Sequence, residues 1–223
     1  ETGSALIEPV YDSLHVLTAL YSVQKSTLYG ALEKEGWIIL NLQGEVIDKP
    51  HFDRYQTLGW GSFFYEKNGK VYLAQYKDQK MHYYTERAFD DAYIHSAGTL
   101  VLKSEGLYGA IQYGANDFPE KAMTLPIAYD SVYMLHFHEH RKLVVEKNGK
   151  IGIMGIDGAE LVPPIYDAII YDTNRKYQLT MVYLRLGQDW SQFSSYTNRL
   201  SPLNQEAFEQ QLKPLLSAQE VGE

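Results

Sequence analysis

Short apolar runs separated by turn residues dominate the hydrophobic pattern of this chain, and they are clearest near residue 150. There LVVEK is followed by Asn148-Gly149, KIGIM, Asp157-Gly158 and AELV. Asn-Gly and Asp-Gly between apolar runs are strong hairpin signals, because both central residues of a type I′ turn need a positive φ. The stretch predicts a three-stranded β-meander. Its Pro-bearing exit is expected at a strand end, because proline cannot donate to a ladder.

The same signals recur along most of the chain. The pentapeptide EKNGK occurs at 66–70 and again at 146–150. Both copies belong to a marker that lies at 28–36, 66–74, 107–114 and 146–154. An aromatic residue followed by Asp alternates with these markers and occurs five times, as Tyr11-Asp12, Phe52-Asp53, Phe89-Asp90, Tyr129-Asp130 and Tyr166-Asp167. Such spacing indicates an internal repeat of roughly 40 residues.

A residue that occurs once in each repeat usually serves the repeat itself. We therefore expect each marker ring to pack in the core and each marker Asp to accept hydrogen bonds from turn amides. One meander cannot bury a hydrophobic face alone, whereas stacked neighbours can. The sequence predicts an all-β fold of about five meander repeats, some of them degenerate, stacked as an open or curved ladder. A closed propeller-like ring is the alternative.

The end of the chain predicts a helix. Ser201 is expected as its N-cap and Pro202 as its first residue, and Pro214 is expected to kink it or end it early. Its apolar face comprises Phe208, Leu212, Leu215 and Leu216. The predicted organisation is an artificial or trimmed start at 1–4, a repeat domain at 5–185 and a C-terminal segment at 186–223 that forms a cap or a tail.

Composition supports a β fold and disfavours several classes of function. Tyr supplies 19 of the 223 residues, against 8 Phe, and Tyr suits strands, where its ring packs and its hydroxyl reaches water. The net charge of −8 disfavours nucleic-acid binding, because an acidic surface repels phosphate. The absence of Cys excludes disulfides, thiolate metal sites and a Cys nucleophile. No run reaches the roughly 18 apolar residues of a membrane span, so membrane insertion is not expected.

The stretch EKNGKIGIMGIDGAELVPPIYDAI at 146–169 resembles the unit of the WG-repeat (KWG-repeat) family, which is found chiefly in bacterial proteins. Partial matches lie at 28–53 and 107–132, and weaker ones at 6–14 and 66–90. The Trp of the family's Trp-Gly pair is replaced, giving Ile151-Gly152, Tyr29-Gly30 and Tyr108-Gly109. The resemblance implies an all-β repeat scaffold, often associated with the cell envelope or with interaction proteins, and it carries over no catalytic residues.

The motif HFHEH is the sharpest local candidate for chemistry. His136, His138 and His140 alternate, so on a strand all three project from one face and could bind Zn²⁺, Cu²⁺ or Ni²⁺. Imidazoles in that arrangement lie about 6.5–7 Å apart, too far to meet at one ion without a bulge. A solvent-facing row of His is the alternative.

A concentration of aromatic residues is the second candidate. The residues are Tyr72, Tyr76, His82, Tyr83, Tyr84, Arg87 and Tyr93. Faces bearing Tyr and Arg are favoured at protein interfaces, and Tyr rings also stack on sugars. Strand alternation is expected to turn about half of these rings inward.

These features favour a non-enzymatic binding module that presents its Tyr-rich face to a protein or, alternatively, to a glycan. An enzyme is the less favoured class: a carbohydrate-active hydrolase would use paired carboxylates such as Asp90-Asp91, or Asp117 with Glu120. A metal-binding protein using the three His residues is a third possibility. No cofactor is expected. The ETGS start, the absence of Cys and the resemblance favour the bacterial envelope or the extracellular space, with the cytoplasm left open.

Overall fold

Five four-stranded sheets account for most of the fold. The computed structural model describes residues 10–18, 27–59, 61–78, 80–96, 98–113, 123–136, 141–171 and 181–220. Within this part of the chain, each sheet is a meander whose four strands follow one another in sequence order. The predicted all-β architecture of repeated meanders is confirmed. Each repeat has four strands and not three, because the run after each aromatic–Asp pair also joins its sheet.

The strands have the following bounds. The first sheet contains β1 (Ser13–Thr18), β2 (Leu28–Glu33), β3 (Gly36–Leu40) and β4 (Val46–Phe52). The second contains β5 (Arg54–Gly59), β6 (Ser62–Lys67), β7 (Lys70–Lys77) and β8 (Lys80–Phe89). The third contains β9 (Asp91–Ser96), β10 (Thr99–Ser104), β11 (Leu107–Gln112) and β12 (Met123–Tyr129). The fourth contains β13 (Ser131–His136), β14 (Arg141–Lys147), β15 (Lys150–Gly155) and β16 (Glu160–Tyr166). The fifth contains β17 (Ala168–Ile170), β18 (Met181–Leu186), β19 (Asp189–Ser194) and β20 (Arg199–Pro202).

The repeated Asp residues precede the first strands and bind the turns between second and third strands. In four sheets, Oδ2 of the Asp accepts the N–H of a turn residue with positive φ: Asp53 from Asn68 (3.0 Å), Asp90 from Glu105 (2.6 Å), Asp130 from Asn148 (2.5 Å) and Asp167 from Gly187 (2.7 Å). The predicted structural role of these carboxylates is thereby confirmed. The preceding rings are buried as predicted, as Phe52, Phe89, Tyr129 and Tyr166 show.

The turns within the fourth sheet differ from one another. Asn148 and Gly149 have φ values of 54° and 69°, as a type I′ turn requires. At the second turn only Gly158 has a positive φ, of 84°, so the prediction of a type I′ turn at Asp157-Gly158 was wrong. Here Gly158 N–H donates to the Gly155 carbonyl (3.0 Å), and Asp157 Oδ1 accepts the N–H of Ala159 (3.2 Å). The Asp side chain stabilises a longer loop by bonding to its own backbone.

The prolines that precede the aromatic–Asp pairs lie inside the outer strands and not at strand ends, contrary to the expectation from sequence. Pro50 is in β4, Pro126 in β12, and Pro163 and Pro164 are in β16. The pairing of β16 with β15 shifts register around its prolines. A bulged edge strand tolerates proline, because the missing N–H is not needed for a ladder bond.

Adjacent sheets pack against each other within each of two compact units. In the first unit, the first and second sheets share a core of Leu17, Leu28, Ile39, Phe52, Phe63, Tyr65 and Ala74. In the second unit, the fourth and fifth sheets share a core of Leu135, Val144, Ile153, Val162, Tyr166, Val182, Leu184 and Phe193. Each core is therefore made by two repeats, as the stacking argument requires.

A helix follows the fifth sheet and begins later than predicted. Ser201 and Pro202 belong to β20, and Asn204 is the N-cap, with its Oδ1 accepting the N–H of Ala207 (2.8 Å). The helix comprises α1 (Gln205–Ala207), a π-helical turn (Phe208–Leu212) and α2 (Lys213–Glu220). The first helical turn can form here because Asn204 satisfies a free amide that Ser201 is too far away to reach.

Pro214 does not end this helix, which corrects the second expectation about it. Lys213 N–H donates to the Phe208 carbonyl, five residues back. In this widened π-helical turn the hydrogen bonds are already irregular directly before Pro214. The N–H that proline lacks therefore does not interrupt a regular α-helical ladder. The helix can therefore continue to Glu220.

The predicted apolar face of the helix covers the last sheet. Leu212 is fully buried in a cluster with Ile170 of β17 and Tyr183 of β18. Phe208, Leu215 and Leu216 pack around that cluster. The fifth sheet itself crosses the predicted domain limit at residue 185, because β19 and β20 complete it.

Candidate binding surface

An aromatic network connects the first and second sheets. Phe52 is its centre, with ring centroids 5.6 Å from Tyr55, 6.1 Å from Phe63 and 5.5 Å from Tyr65. At one end Tyr55 meets Trp37 edge-on at 5.1 Å, and Trp37 contacts the exposed His15 ring at 5.2 Å. Tilted and edge-on contacts of this kind add to the burial of apolar area. Sequence reasoning missed the His15–Trp37–Tyr55 arm, since its three residues come from three different strands.

Three of the seven predicted surface residues belong to this network or pack against it. Tyr72 stacks on Tyr65 at 5.4 Å, Tyr83 meets Tyr65 edge-on at 5.8 Å, and Tyr76 packs against the same core. The Tyr83 hydroxyl donates to Asp48 Oδ2 at 2.7 Å. Burial, followed by the Asp48 carboxylate, raises the pKa of Tyr83 well above its usual range. These rings fix the second sheet onto the first.

The remaining predicted residues have different surroundings. His82 and Arg87 are exposed on β8, and the Arg87 guanidinium lies 5.6 Å from the Phe89 ring centroid. Tyr84 is half-buried on β8, and Tyr93 is 38% exposed on β9. The structure therefore divides the seven residues between an inward group (Tyr72, Tyr76, Tyr83) and a group on the outer strand and the strand after it. Alternation in the sequence anticipated the division but not its direction.

The glycines at the motif positions allow close packing. A Cβ on Gly30 would lie 2.6 Å from the Tyr55 hydroxyl, and one on Gly152 would lie 2.7 Å from Pro164 N and from the Val162 carbonyl. At Gly109 it would lie 2.8 Å from the Leu125 carbonyl. Real Cβ atoms do not approach other atoms this closely. The neighbouring backbone therefore requires glycine at 109 and 152, whereas at Gly30 the Tyr55 ring would have to shift.

Of the carboxylates proposed for hydrolysis, two accept hydrogen bonds within the fold and two fall outside the described residues. Asp90 Oδ1 accepts from Lys70 Nζ at 2.6 Å, and this bond, with that from the Glu105 amide, holds the pKa of Asp90 below its usual value. Asp91 Oδ1 accepts the N–H of Ala92 at 2.8 Å. Asp117 and Glu120 lie outside the described residues. A carboxylate held in its ionised form by a lysine is a poor general acid.

The metal site remains a prediction. His136 ends β13 opposite Arg141, and His138 and His140 lie outside the described residues. Across the part of the chain that the structure describes, no three His, Cys, Asp or Glu side chains are grouped to hold a metal ion.

Lys142 is a further residue that the sequence analysis did not single out. It lies on β14 and is only 9% exposed. Burial lowers the pKa of its amine, and Asp157 partly opposes that shift. The sequence did contain a signal for this burial. Lys142 directly precedes the apolar run LVV, and a residue that extends such a buried strand is expected to be buried as well.

Comparison with known proteins gives distant similarities only. No family model matches the chain, and no curated protein does. Hsv2 of Kluyveromyces lactis is 11% identical over 84% of this chain and 61% of its own, with a TM-score of 0.32. Hsv2 of Kluyveromyces marxianus is 12% identical over 79% and 57%, with a TM-score of 0.36. An extracellular domain attributed to a one-component system of B. thetaiotaomicron is 10% identical over 87% and 30%, with a TM-score of 0.30.

The chain spans 57% to 66% of the length of the Hsv2 chains it matches. Similarity this distant assigns no function. None of the described helices has the length and apolar content that crossing a bilayer requires.

Proposed function

We propose that this chain is a non-enzymatic binding module that holds a protein partner through exposed residues of β8 and β9. The observation that carries the proposal is the exposure of His82 and Arg87 on β8 and of Tyr93 on β9. Arg and Tyr are enriched among the residues that dominate interface energies, because they combine large contact area with hydrogen bonding.

The inward rings have a supporting role in this proposal. Tyr72, Tyr76 and Tyr83 anchor β7 and β8 on the core shared with the first sheet. A surface on a rigid strand loses less conformational freedom on binding than one on a loop. The aromatic excess therefore serves both the scaffold and the surface.

We also propose that the scaffold is a divergent member of the WG-repeat family. The close packing required at Gly109 and Gly152 supports this assignment, since both are the Gly of the family's two-residue motif. The frequent association of that family with the cell envelope is the basis for placing the module there or outside the cell.

Affinity capture with matched variants tests the proposed surface. The variant Arg87→Ala/Tyr93→Ala removes one guanidinium and one phenol from it. The control Tyr196→Ala/Arg199→Ala removes the same two groups, both exposed, from the fifth sheet. Each immobilised protein is incubated with extract of the native source, and retained proteins are quantified by mass spectrometry.

We expect the wild type and the control to retain the same partner and the Arg87/Tyr93 variant to lose it. The loss should be at least about tenfold, since truncating two interface anchors costs at least about 1.4 kcal/mol. Melting temperatures should agree among the three proteins. Equal retention by all three would place the binding surface elsewhere.

A further inference from the structure

We propose that the segment Lys80–Tyr84 of β8 is a docking edge that receives an extended acidic peptide of the partner as an added strand. This inference rests on the proposed binding function and names the mode and the chemistry of the contact. Strand addition to a sheet edge is a general mode of peptide recognition, in which main-chain hydrogen bonds supply the affinity.

The regularity of this segment distinguishes it from the outer strands β4 and β16. Lys80–Tyr84 pairs one-to-one with Leu73–Lys77 of β7 without a register shift. The outer strands β4 and β16 shift register at each step of their pairing. Proline occurs in β4, β12, β16 and β20 but not in β8, which is also the longest of the five at 10 residues. Proline and bulges are the usual protection of a sheet edge, and this segment has neither.

The backbone of this segment presents hydrogen-bonding groups outward. Tyr76 N–H donates to the Gly61 carbonyl at 2.8 Å, on the side of β7 away from β8. Tyr76 and its cross-strand partner Met81 therefore form a pair that exchanges no hydrogen bonds. By alternation, the N–H and C=O groups of Met81 and Tyr83 point away from β7. No strand among the described residues pairs with that edge.

The segment is accessible. None of its five residues is buried, and Lys80 and His82 are exposed. The first strands of the sheets differ, because β1 lies against β5 and β6, and β9 lies against β7. β8 lies against β10 of the third sheet, and directly after β8 the Asp90 N–H donates to the Lys103 carbonyl of β10 at 2.8 Å. Lys80–Tyr84 is the opposite end of β8, so we infer that a peptide can approach the strand there.

The charges around the edge favour an acidic peptide. Residues 77–87 contain three cations, Lys77, Lys80 and Arg87, against the two carboxylates of Asp78 and Glu86, which leaves an excess of one positive charge. This local excess of positive charge occurs in a chain whose net charge is −8. An acidic peptide would be attracted to the edge and repelled by most of the remaining surface.

The test uses a ten-residue peptide of alternating Val and Glu as the probe, added to isotope-labelled wild-type protein. Amide hydrogen exchange is measured by NMR. We expect new protection at Met81 and Tyr83, whose amides point outward, and little change at His82, whose amide already bonds to β7. A peptide of alternating Val and Lys is the charge control and should bind at least about tenfold more weakly.

Two variants separate backbone from side-chain effects. Met81→Pro removes the outward N–H together with the side chain, whereas Met81→Ala removes the side chain alone. Strand addition predicts a loss of about tenfold in affinity for Met81→Pro beyond that of Met81→Ala. Equal affinities of the two variants would overturn the inference. Should Met81→Pro fail to fold, the alternating protection pattern in the wild-type protein decides.

The outcomes also distinguish this inference from the proposed function. Loss of partner capture in the Arg87/Tyr93 variant, with no alternating protection by the Val-Glu peptide, would retain the binding module and overturn strand addition. Equal binding of the Val-Lys peptide would overturn the acidic partner. Protection spread evenly over Lys80–Tyr84 would contradict an added strand.

Discussion

Nζ of Lys70 lies 2.6 Å from Oδ1 of Asp90, so the final residue of the first EKNGK turn binds the residue that precedes the next sheet. The second copy does the same, with Lys150 bound to Asp167. Each of these two Asp residues uses its other oxygen to accept a turn amide of its own sheet. One carboxylate therefore joins two consecutive repeats.

We expect Asp90→Ala to lower the melting temperature more than Lys70→Met. Asp90 bonds both to the lysine and to the Glu105 amide, whereas Lys70 contributes the ion pair alone. Asp90→Asn should fall between them, because an amide oxygen can still accept the turn N–H. Lys34→Met is the control, since Lys34 is an exposed lysine in the corresponding turn of the first sheet. Thermal unfolding followed by circular dichroism measures all four variants.

Acid should remove the stabilisation that these carboxylates provide. Lys150 and the Gly187 amide lower the pKa of Asp167 from its ordinary value of 3.8. A lowered folded-state pKa means that the contribution is complete above the unfolded-state value and disappears as the pH falls through the folded-state value. The stability difference between wild type and Asp167→Asn should therefore be constant above about pH 5 and vanish in strong acid. A difference that persists unchanged at pH 2 would contradict the assignment.

Loss of the hydroxyl group should destabilise the protein at Tyr83 but not at Tyr55, although both phenols belong to the aromatic network. Tyr83→Phe removes the bond to Asp48 and leaves that carboxylate without it, so we expect a loss of about 1–2 kcal/mol. The Tyr55 hydroxyl is buried without a hydrogen-bond partner among the described residues. Tyr55→Phe should therefore leave stability unchanged or raise it. Urea unfolding of the two variants, which differ from wild type by one oxygen each, makes the comparison.

Replacement of Lys142 by Met should stabilise the protein at neutral pH. Burial lowers the pKa of the amine below its ordinary value of 10.5, which means that the folded state resists protonation of this lysine. The wild-type protein should regain stability as the pH rises from the folded-state pKa towards 10.5. The advantage of Lys142→Met should shrink over that range. Chemical unfolding at several pH values measures it, with Lys34→Met as an exposed control.

The repeat could be predicted from sequence because its markers have local causes. The Asn-Gly turns need only two residues with positive φ, and the Asp before each sheet recurs at a constant place. Which Tyr side chains point into the core and which point outward could not be predicted in the same way. Which face of β8 meets the first sheet depends on cross-strand register, and the register of β8 changes after Tyr84.

The helix illustrates a second limit. A helical wheel placed Phe208, Leu212, Leu215 and Leu216 on one face, and packing against the last sheet agrees with it. Local rules also predicted that Pro214 would kink the helix or end it early, but the helix continues because the π-turn before the proline absorbs the missing hydrogen bond. Tertiary packing of the apolar face outweighs the cost of that irregular turn, and a sequence window contains no information on that contact.

The bond between Lys150 and Asp167 also sets the unit by which such a chain can grow. A segment copied from Asp130 to Tyr166 would carry its own turn acceptor, and its lysine would meet the Asp of the segment that follows. A segment cut between Asp130 and Asn148 would instead separate the carboxylate from the turn amide of its own sheet. Tandem duplication from one Asp to the next is therefore the rearrangement that preserves every recurring contact.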